Sequence, residues 1–387
     1  MKIVADNRIP FLRGVFEPFA QVLYLPGGET TPEVVRDADA LLTRTRTRCD
    51  AALLAGSSVR VIASATIGYD HIDTAWCEAN GIRWANAPGC NAGSVEQYVA
   101  AALCALSRRH AFPLAGRTLG VVGVGHVGSR VVRMAAALGM KVLCCDPPLA
   151  RAMSSLPAAH SSLPAATGNL FLPLDEVLSR SDIVTLHVPL TRTGEDATWH
   201  LIDAARLSAM RPDQYLINTS RGPVVDGAAL KAALQAKALG GAVLDVWEDE
   251  PAPDRALLDL ADIATPHIAG YSADGKAAGT AAAVQTVASV LGLPLAAWHP
   301  AALPAPAQPL SFTLDARGKS LAEVLREAVL YTYDILADDA ALRADPARFE
   351  ALRGDYPVRR EPVAFRLQLQ GGTKEMADAL SAIGFQL

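Results

Sequence analysis

Thr118-Leu-Gly-Val-Val-Gly123-Val-Gly125-His126-Val127-Gly128 is the stretch on which the reading of the fold turns. Its first half, residues 118–123, is an apolar, β-branched run with the length of a buried strand, and residues 127–138 repeat apolar side chains at helical spacing. Between the two stands a GxGxxG. Gly123 permits a tight turn, Gly125 lets the backbone approach a pyrophosphate, and Gly128 allows helix and strand to pack closely. The helix N-terminus adds unpaired N–H groups and a favourable dipole for an anion. The next apolar run, residues 141–145, ends at Asp146, 21 residues beyond Gly125. A carboxylate there accepts hydrogen bonds from an adenosine ribose and repels a 2′-phosphate. Pro147 and Pro148 follow, with no arginine beside Asp146 to reverse that choice, so the expected dinucleotide is NAD.

The same alternation extends in both directions. Residues 2–5, 21–25, 40–43, 61–64 and 82–85 read as strands before the glycine motif, with a helix at 70–80 ended by Gly81 and a longer one at 94–109. After it, strands are expected at 182–187, 215–219, 241–245 and 263–265, and helices at 227–239 and 273–291. Strands alternating with helices mark an α/β chain of parallel sheets covered on both faces. Residues 151–170 interrupt the pattern with Ser, Ala, Pro and Gly and read as an exposed insertion. Pro294, Pro300, Pro304, Pro306 and Pro309 punctuate a connector. Ser320-Leu-Ala-Glu323 then opens a helix as a capping box, with Leu321, Val324, Leu325, Ala328 and Ile335 on one face. Phe365, Leu367 and Leu369 alternate with polar residues as in a half-exposed strand, and residues 376–384 suit a last helix. So small an α+β appendage cannot bury a large core, and packing against a second subunit is its expected use.

Composition excludes several classes. With 35 basic and 40 acidic side chains the net charge is −5, which offers no footprint for nucleic acid or an anionic membrane. No stretch is apolar for long enough to span a bilayer. The six cysteines show no CxxC and no ligand-like spacing with histidine, so neither a disulfide framework nor a metal site is expected. Met1-Lys-Ile-Val-Ala-Asp6 carries no secretion signal, and a cytoplasmic protein is the expectation.

Chemistry concentrates after three later strands. Asn218-Thr-Ser-Arg221-Gly, Asp245-Val-Trp-Glu-Asp-Glu250-Pro and Thr265-Pro-His267-Ile-Ala-Gly270-Tyr271 all follow strand carboxyl ends, where open α/β sheets bind ligands. Oxidising a 2-hydroxy acid needs a cation for the carboxylate and a base for the hydroxyl proton. A guanidinium such as Arg221 grips a carboxylate bidentately. An imidazole such as His267 exchanges protons near neutral pH, and Glu250 is placed to orient it. Singly, each residue has a blander role: a solvated arginine, a turn histidine, a surface acid.

Together, Gly123–Gly128, Asp146, Thr185-Leu-His-Val-Pro-Leu-Thr191, Ser220-Arg221-Gly222, Leu244-Asp-Val and Pro266-His267 resemble the D-isomer-specific 2-hydroxyacid dehydrogenase family. The resemblance implies Arg221, Glu250 and His267 as catalytic residues. It also implies NAD contacts at His126, Val127, Asp146, Val188, Thr219, Ser220, Asp245 and Gly270. Val188 stands where threonine is common, so a contact there would use the backbone. Two Rossmann-like domains are implied: residues 1–93 completed by 268–290 for substrate, and 94–267 for NAD, leaving 291–387 as a C-terminal dimerisation domain.

Within that family, Tyr271, the spacing of 17 between Glu250 and His267, Ala87-Pro-Gly-Cys-Asn91 and the C-terminal extension narrow the likeness to a branch with a phosphorylated substrate. It implies oxidation of 4-phospho-D-erythronate in the vitamin B6 pathway by a homodimer. Another D-2-hydroxy acid such as 3-phosphoglycerate, or an NAD-sensing corepressor role, are the alternatives. For the phosphate, Thr43-Arg44-Thr-Arg46-Thr-Arg48 offers clustered guanidiniums; extended geometry would set arginines on one face and threonines on the other. The resemblance implies substrate contacts at Thr45, Thr66 and Tyr271, with Arg44 assisting.

Overall fold

The computed structural model describes residues 1–154 and 171–387. Of the expected insertion at 151–170, Arg151 to Ser154 close a helix, Pro147–Ser154, and the rest lies outside the described residues. The described chain divides into two compact units, Met1–Asn91 with Ser272–Pro304, and Ala92–Tyr271 with Ala305–Leu387.

In the first unit, β1 (Lys2–Asp6), β2 (Gln21–Leu25), β3 (Ala40–Thr43), β4 (Val61–Ser64) and β5 (Arg83–Ala85) form a parallel sheet in the order β2-β1-β3-β4-β5. Successive side chains of a strand leave on opposite faces. Ile3, Ala5 and Leu42 therefore pack with Ala283, Val284 and Val287 of the helix Ala273–Leu291, whereas Val4, Leu41 and Ile62 pack with Val35, Leu53 and Leu54 on the other side. The helix expected at 70–80 is shorter, Thr74–Ala79. Asp73 starts it by accepting the Trp76 N–H at 3.0 Å, and the residues before Asp73 close a turn through Ile72 N–H to the Tyr69 carbonyl (2.8 Å).

The second unit holds β6 (Thr118–Val122), β7 (Lys141–Cys145), β8 (Ile183–Leu186), β9 (Tyr215–Asn218), β10 (Gly241–Leu244) and β11 (Ile263–Ala264), parallel in the order β11-β10-β9-β8-β6-β7. Connections leave β6 in opposite directions toward β7 and β8, which opens a crevice at their carboxyl ends. His187, Thr219, Asp245 and Thr265, expected as the last strand residues, have left the ladder and line the loops instead. The helix expected at 227–239 is Gly227–Gln235, and the left-handed Lys237 (φ 54°) follows its end.

Residues 305–387 add a parallel pair of which periodicity reveals only half: β13 (Arg366–Gln370) shows the alternation of a strand, and its partner β12 (Ser311–Asp315) is not among the strands expected from sequence. The capping box is present, since Ser320 and Glu323 exchange side chain-to-backbone hydrogen bonds at the start of Leu321–Thr332. Ile335 belongs to a separate helix, Ile335–Ala344, because Asp334 accepts the Leu336 and Ala337 N–H groups and starts a new one. The last helix is Lys374–Ala382, capped by Thr373. Val324, Leu325, Ala328 and Val329 share one core with Val99, Leu103 and Leu106 of the helix Ala92–Arg109. Arg343 ties the same segment to the Leu258 and Ala261 carbonyls, at 2.7 Å each. Among the described residues, no helix is long and apolar enough to cross a membrane.

Burial at this junction has a measurable consequence. Burial pushes the Glu96 carboxyl up to about 7, against the opposing pull of Arg130 at 3.4 Å. An acid with a raised pKa in the fold stabilises the protein fully below its unfolded value and progressively less as pH rises to 7. Glu96→Gln is therefore expected to raise stability at pH 8 by on the order of 2 kcal/mol, and to change nothing near pH 4. Urea unfolding at the two pH values checks this.

Candidate active site

The glycine turn follows β6. Gly123 has a left-handed φ of 85° and donates its N–H to the Cys145 carbonyl at 2.8 Å, which ties the turn to β7. A Cβ on Gly128 would lie 1.9 Å from the Gly123 carbonyl oxygen, so the helix Gly128–Ala137 starts in contact with the turn's backbone. Gly125 has no atom within 4 Å of a hypothetical Cβ, and it and His126 are exposed. The turn thus presents open backbone at Gly125, His126 and Val127, where a pyrophosphate would need it. Asp146 is half-buried at the end of β7, with Oδ2 accepting the Val124 N–H at 2.7 Å and Oδ1 the Leu149 N–H at 2.9 Å. Those bonds fix the carboxylate against the glycine turn while leaving a further lone pair on each oxygen for ribose hydroxyls. The residues present fit an NAD molecule.

The pair expected to transfer the proton, His267 and Glu250, lies after neighbouring strands. His267 Nδ1 and Glu250 Oε2 are 2.7 Å apart, and the Trp247 N–H donates to Glu250 Oε1 at 3.0 Å. Burial pushes the Glu250 carboxyl up, but the His267 hydrogen bond and charge, the Trp247 N–H and the Arg353 guanidinium outweigh it and hold the carboxyl below its usual value. An ionised carboxylate only accepts, so the proton of a neutral imidazole sits on Nδ1 and Nε2 keeps its lone pair. His267 itself has a left-handed φ of 57°, unusual for a residue with a Cβ, and its N–H donates to the Asp245 carbonyl at 2.7 Å.

Arg221 follows β9, next to β10 in the sheet. Asn218 shapes its loop by accepting from Ser220 N–H (3.1 Å) and Oγ–H (2.8 Å) while its Nδ2 donates to the Arg221 carbonyl (3.0 Å). The loop packs backbone to backbone with the segment leading to Glu250, for a Cβ on Gly222 would meet the Trp247 carbonyl oxygen at 1.9 Å. Glu250 and His267 are in direct contact, and Arg221 is set beside their segment through Gly222.

A family model described as "D-isomer specific 2-hydroxyacid dehydrogenase, NAD binding domain" matches residues 93–269. Another, described only as a domain of unknown function (DUF3410), matches residues 305–384. A curated protein of Porphyromonas gingivalis named erythronate-4-phosphate dehydrogenase is 43% identical over 100% of both chains. One of the same name from Pseudomonas syringae is 43% identical over 99% of each. The chain belongs to the D-isomer-specific 2-hydroxyacid dehydrogenase family. Among solved structures, an Aquifex aeolicus D-lactate dehydrogenase complexed with NAD and lactic acid is similar at TM-score 0.61 and 29% identity, covering 76% of this chain and 96% of its own.

As a D-2-hydroxyacid dehydrogenase the chain binds NAD through residues 93–269, and the other implied contacts fall as follows. Val188 borders the turn, its Cγ1 2.9 Å from a Cβ placed on Gly123. Thr219 Oγ1 lies 3.4 Å from His187 Nδ1, and Ser220 is buried. Asp245 is 1% exposed, with both oxygens engaged by the chain itself: Oδ1 accepts from Thr265 Oγ1 (2.6 Å) and Ile268 N–H (2.7 Å), Oδ2 from Ala269 N–H (2.9 Å). Its observed part is to hold the loop from His267 to Gly270.

In the first unit, Thr66 Oγ1 donates to the Arg44 carbonyl at 3.4 Å, so Arg44, Thr45 and Thr66 gather at the carboxyl ends of β3 and β4. The expected alternation of arginines and threonines fails. The chain bends at residues 45–47, Thr47 is buried with its hydroxyl donating to the Gly27 carbonyl (3.0 Å), and Arg48 pairs with Asp50 (2.8 Å). Tyr271 packs edge-on against Tyr356 at 6.0 Å, and the Arg353 guanidinium lies 5.8 Å from its ring centre. Sequence reading missed Arg353, Tyr356 and Arg359, since nothing local marks residues that reach the site from another part of the chain.

Proposed function

We propose that this dehydrogenase oxidises 4-phospho-D-erythronate to (R)-3-hydroxy-2-oxo-4-phosphooxybutanoate as a step of pyridoxal 5′-phosphate synthesis, working as a homodimer in the cytoplasm. The observation that carries the chemistry is the His267–Glu250 pair at 2.7 Å. Full-length likeness to proteins named for that substrate supports its identity. Arg221 binds the substrate carboxylate through paired N–H donors. The free Nε2 of His267 accepts the C2 hydroxyl proton, and Glu250, a positioning residue, stabilises the imidazolium that results. NAD, when bound, supplies the hydride acceptor. Asp146 orients its adenosine ribose, and the N–H groups from Gly125 to Gly128 bind its pyrophosphate. The substrate phosphate is assigned to Arg44 and Arg46, with Thr45, Thr66 and Tyr271 as further contacts.

Steady-state NADH formation from 4-phospho-D-erythronate and from 3-phosphoglycerate tests the proposal. Higher kcat/KM with 3-phosphoglycerate overturns it. Arg46→Ala is expected to raise KM for the phosphorylated acid by about tenfold, the worth of one charge-assisted hydrogen bond, with kcat little changed. An unaltered KM moves the phosphate elsewhere. Light scattering that gives a single chain's mass removes the homodimer.

A further inference from the structure

We infer that Arg359, from the segment matched only as a domain of unknown function, is a positioning residue that holds the catalytic histidine's loop in its reactive shape. The inference rests on the reading of His267 as the base. Arg359 is 4% exposed, and its Nη2 donates to the carbonyls of Ile268 (3.1 Å) and Ala269 (2.6 Å) and to Ser94 Oγ (2.8 Å). Those two residues directly follow His267. On their other side, the Asp245 carboxylate accepts the N–H groups of the same two residues. The peptide joining Ile268 to Ala269 is thus held between a buried guanidinium at its carbonyl and a buried carboxylate at its N–H. Backbone dipoles so aligned resist rotation, because any turn of the peptide takes a hydrogen bond from each of two buried charges at once.

The loop needs such a hold. A left-handed non-glycine residue persists only where its surroundings over-determine it, and His267 is one. Release of the 268–269 peptide would let His267 relax to ordinary φ, carrying its ring off Glu250. Arg359 is itself fixed: its Cζ lies 4.4 Å from the ring centre of Tyr333 and 5.7 Å from that of Tyr356, and both tyrosine hydroxyls donate to Asp338 Oδ2, at 2.8 and 2.7 Å. This aromatic, acid-backed socket is built wholly from residues 333–356. Arg359 Nε and Nη1 are buried without hydrogen-bond partners, so the ring faces and the aspartate field compensate the cation instead. A side chain that gives up hydrogen bonds to reach two particular carbonyls is better explained by the loop than by packing of its own segment.

The test compares full-length wild type with Arg359→Ala and Arg359→Lys. Both variants are expected to bind NAD within about threefold of wild type and to lose about 10- to 100-fold in kcat, the effect of an ångström-scale displacement of a reacting group. Millimolar guanidinium chloride is expected to restore a large part of the Arg359→Ala rate, because it refills the donor position, and to leave wild type unchanged. A folded variant that keeps kcat within twofold of wild type, or a slow Arg359→Ala enzyme that guanidinium does not rescue, overturns the inference. So does failure of both variants to fold, which would make Arg359 a folding residue only. Wild type that oxidises neither phosphorylated acid fails the functional reading instead, so the two failures are distinguishable.

Discussion

His267→Ala is expected to lower kcat by about a thousandfold, the mid-range contribution of a positioned general base, while NAD affinity stays within about threefold of wild type. The geometry separates the two effects. The His267 ring engages Glu250 at 2.7 Å, after β11, whereas the glycine turn and Asp146 follow β6 and β7. Losing the ring therefore removes the proposed proton acceptor and leaves the glycine turn and Asp146 untouched. The loss should fall on kcat and kcat/KM alike, since the proposed base acts on the transition state while the proposed carboxylate grip, Arg221, is left in place. Glu250→Gln should cost less: an amide still accepts from Nδ1–H but no longer stabilises the charged imidazolium. Single-turnover NADH formation, with NAD binding followed by fluorescence, checks both. Unchanged turnover in His267→Ala would remove the histidine from proton transfer.

What could be read from the sequence was chemistry that is local in the chain. The spacing of Gly123, Gly125 and Gly128, with Asp146 one strand later, lies within a single β-turn-α-β unit, so residue order alone places it. The placement of Arg221, Glu250 and His267 was legible for a related reason, because each follows a strand end and β9, β10 and β11 prove to be neighbours. The Arg44–Arg48 run misled where a tertiary demand overrode a period: Thr47 turned inward to reach Gly27, so the chain bends where alternation predicted extension. Ile335 continues the apolar stripe of Leu321–Thr332 yet opens a separate helix, because the capping aspartate Asp334 outranks the stripe.

Arg359 shows the harder limit. It meets Ala269 across 90 residues of sequence, and neither position carries a signal that names the other. Asp245 is the converse case. Its strand-end place suggests a ligand contact, yet two of the groups it binds are backbone N–H groups, which no side-chain pattern records. The appended segment was expected to look outward to a second subunit. Its core is shared with the helix Ala92–Arg109 and its buried arginine grips the histidine loop.

Gly128→Ala and Gly125→Ala should separate the two duties of the glycine motif. In Gly128→Ala the new Cβ would stand 1.9 Å from the Gly123 carbonyl oxygen and 2.9 Å from its carbon. Both are backbone atoms of a turn that is already left-handed and tied to β7, so neither can yield without moving the strand end. The helix must slide by an ångström or more, and a loss of about 3 kcal/mol is expected, the upper range for forced overpacking. NAD binding should fail with it. In Gly125→Ala the Cβ enters open space, with nothing within 4 Å, so the urea midpoint should be unchanged. Its methyl would nonetheless stand where a pyrophosphate approaches the backbone, and NAD affinity should fall at least about tenfold, one lost charge-assisted contact. Urea unfolding and NAD titration on both variants decide. Full NAD affinity in Gly125→Ala would mean that the dinucleotide does not cross this turn, and equal destabilisation of the two would mean that the turn is packed differently from the structure.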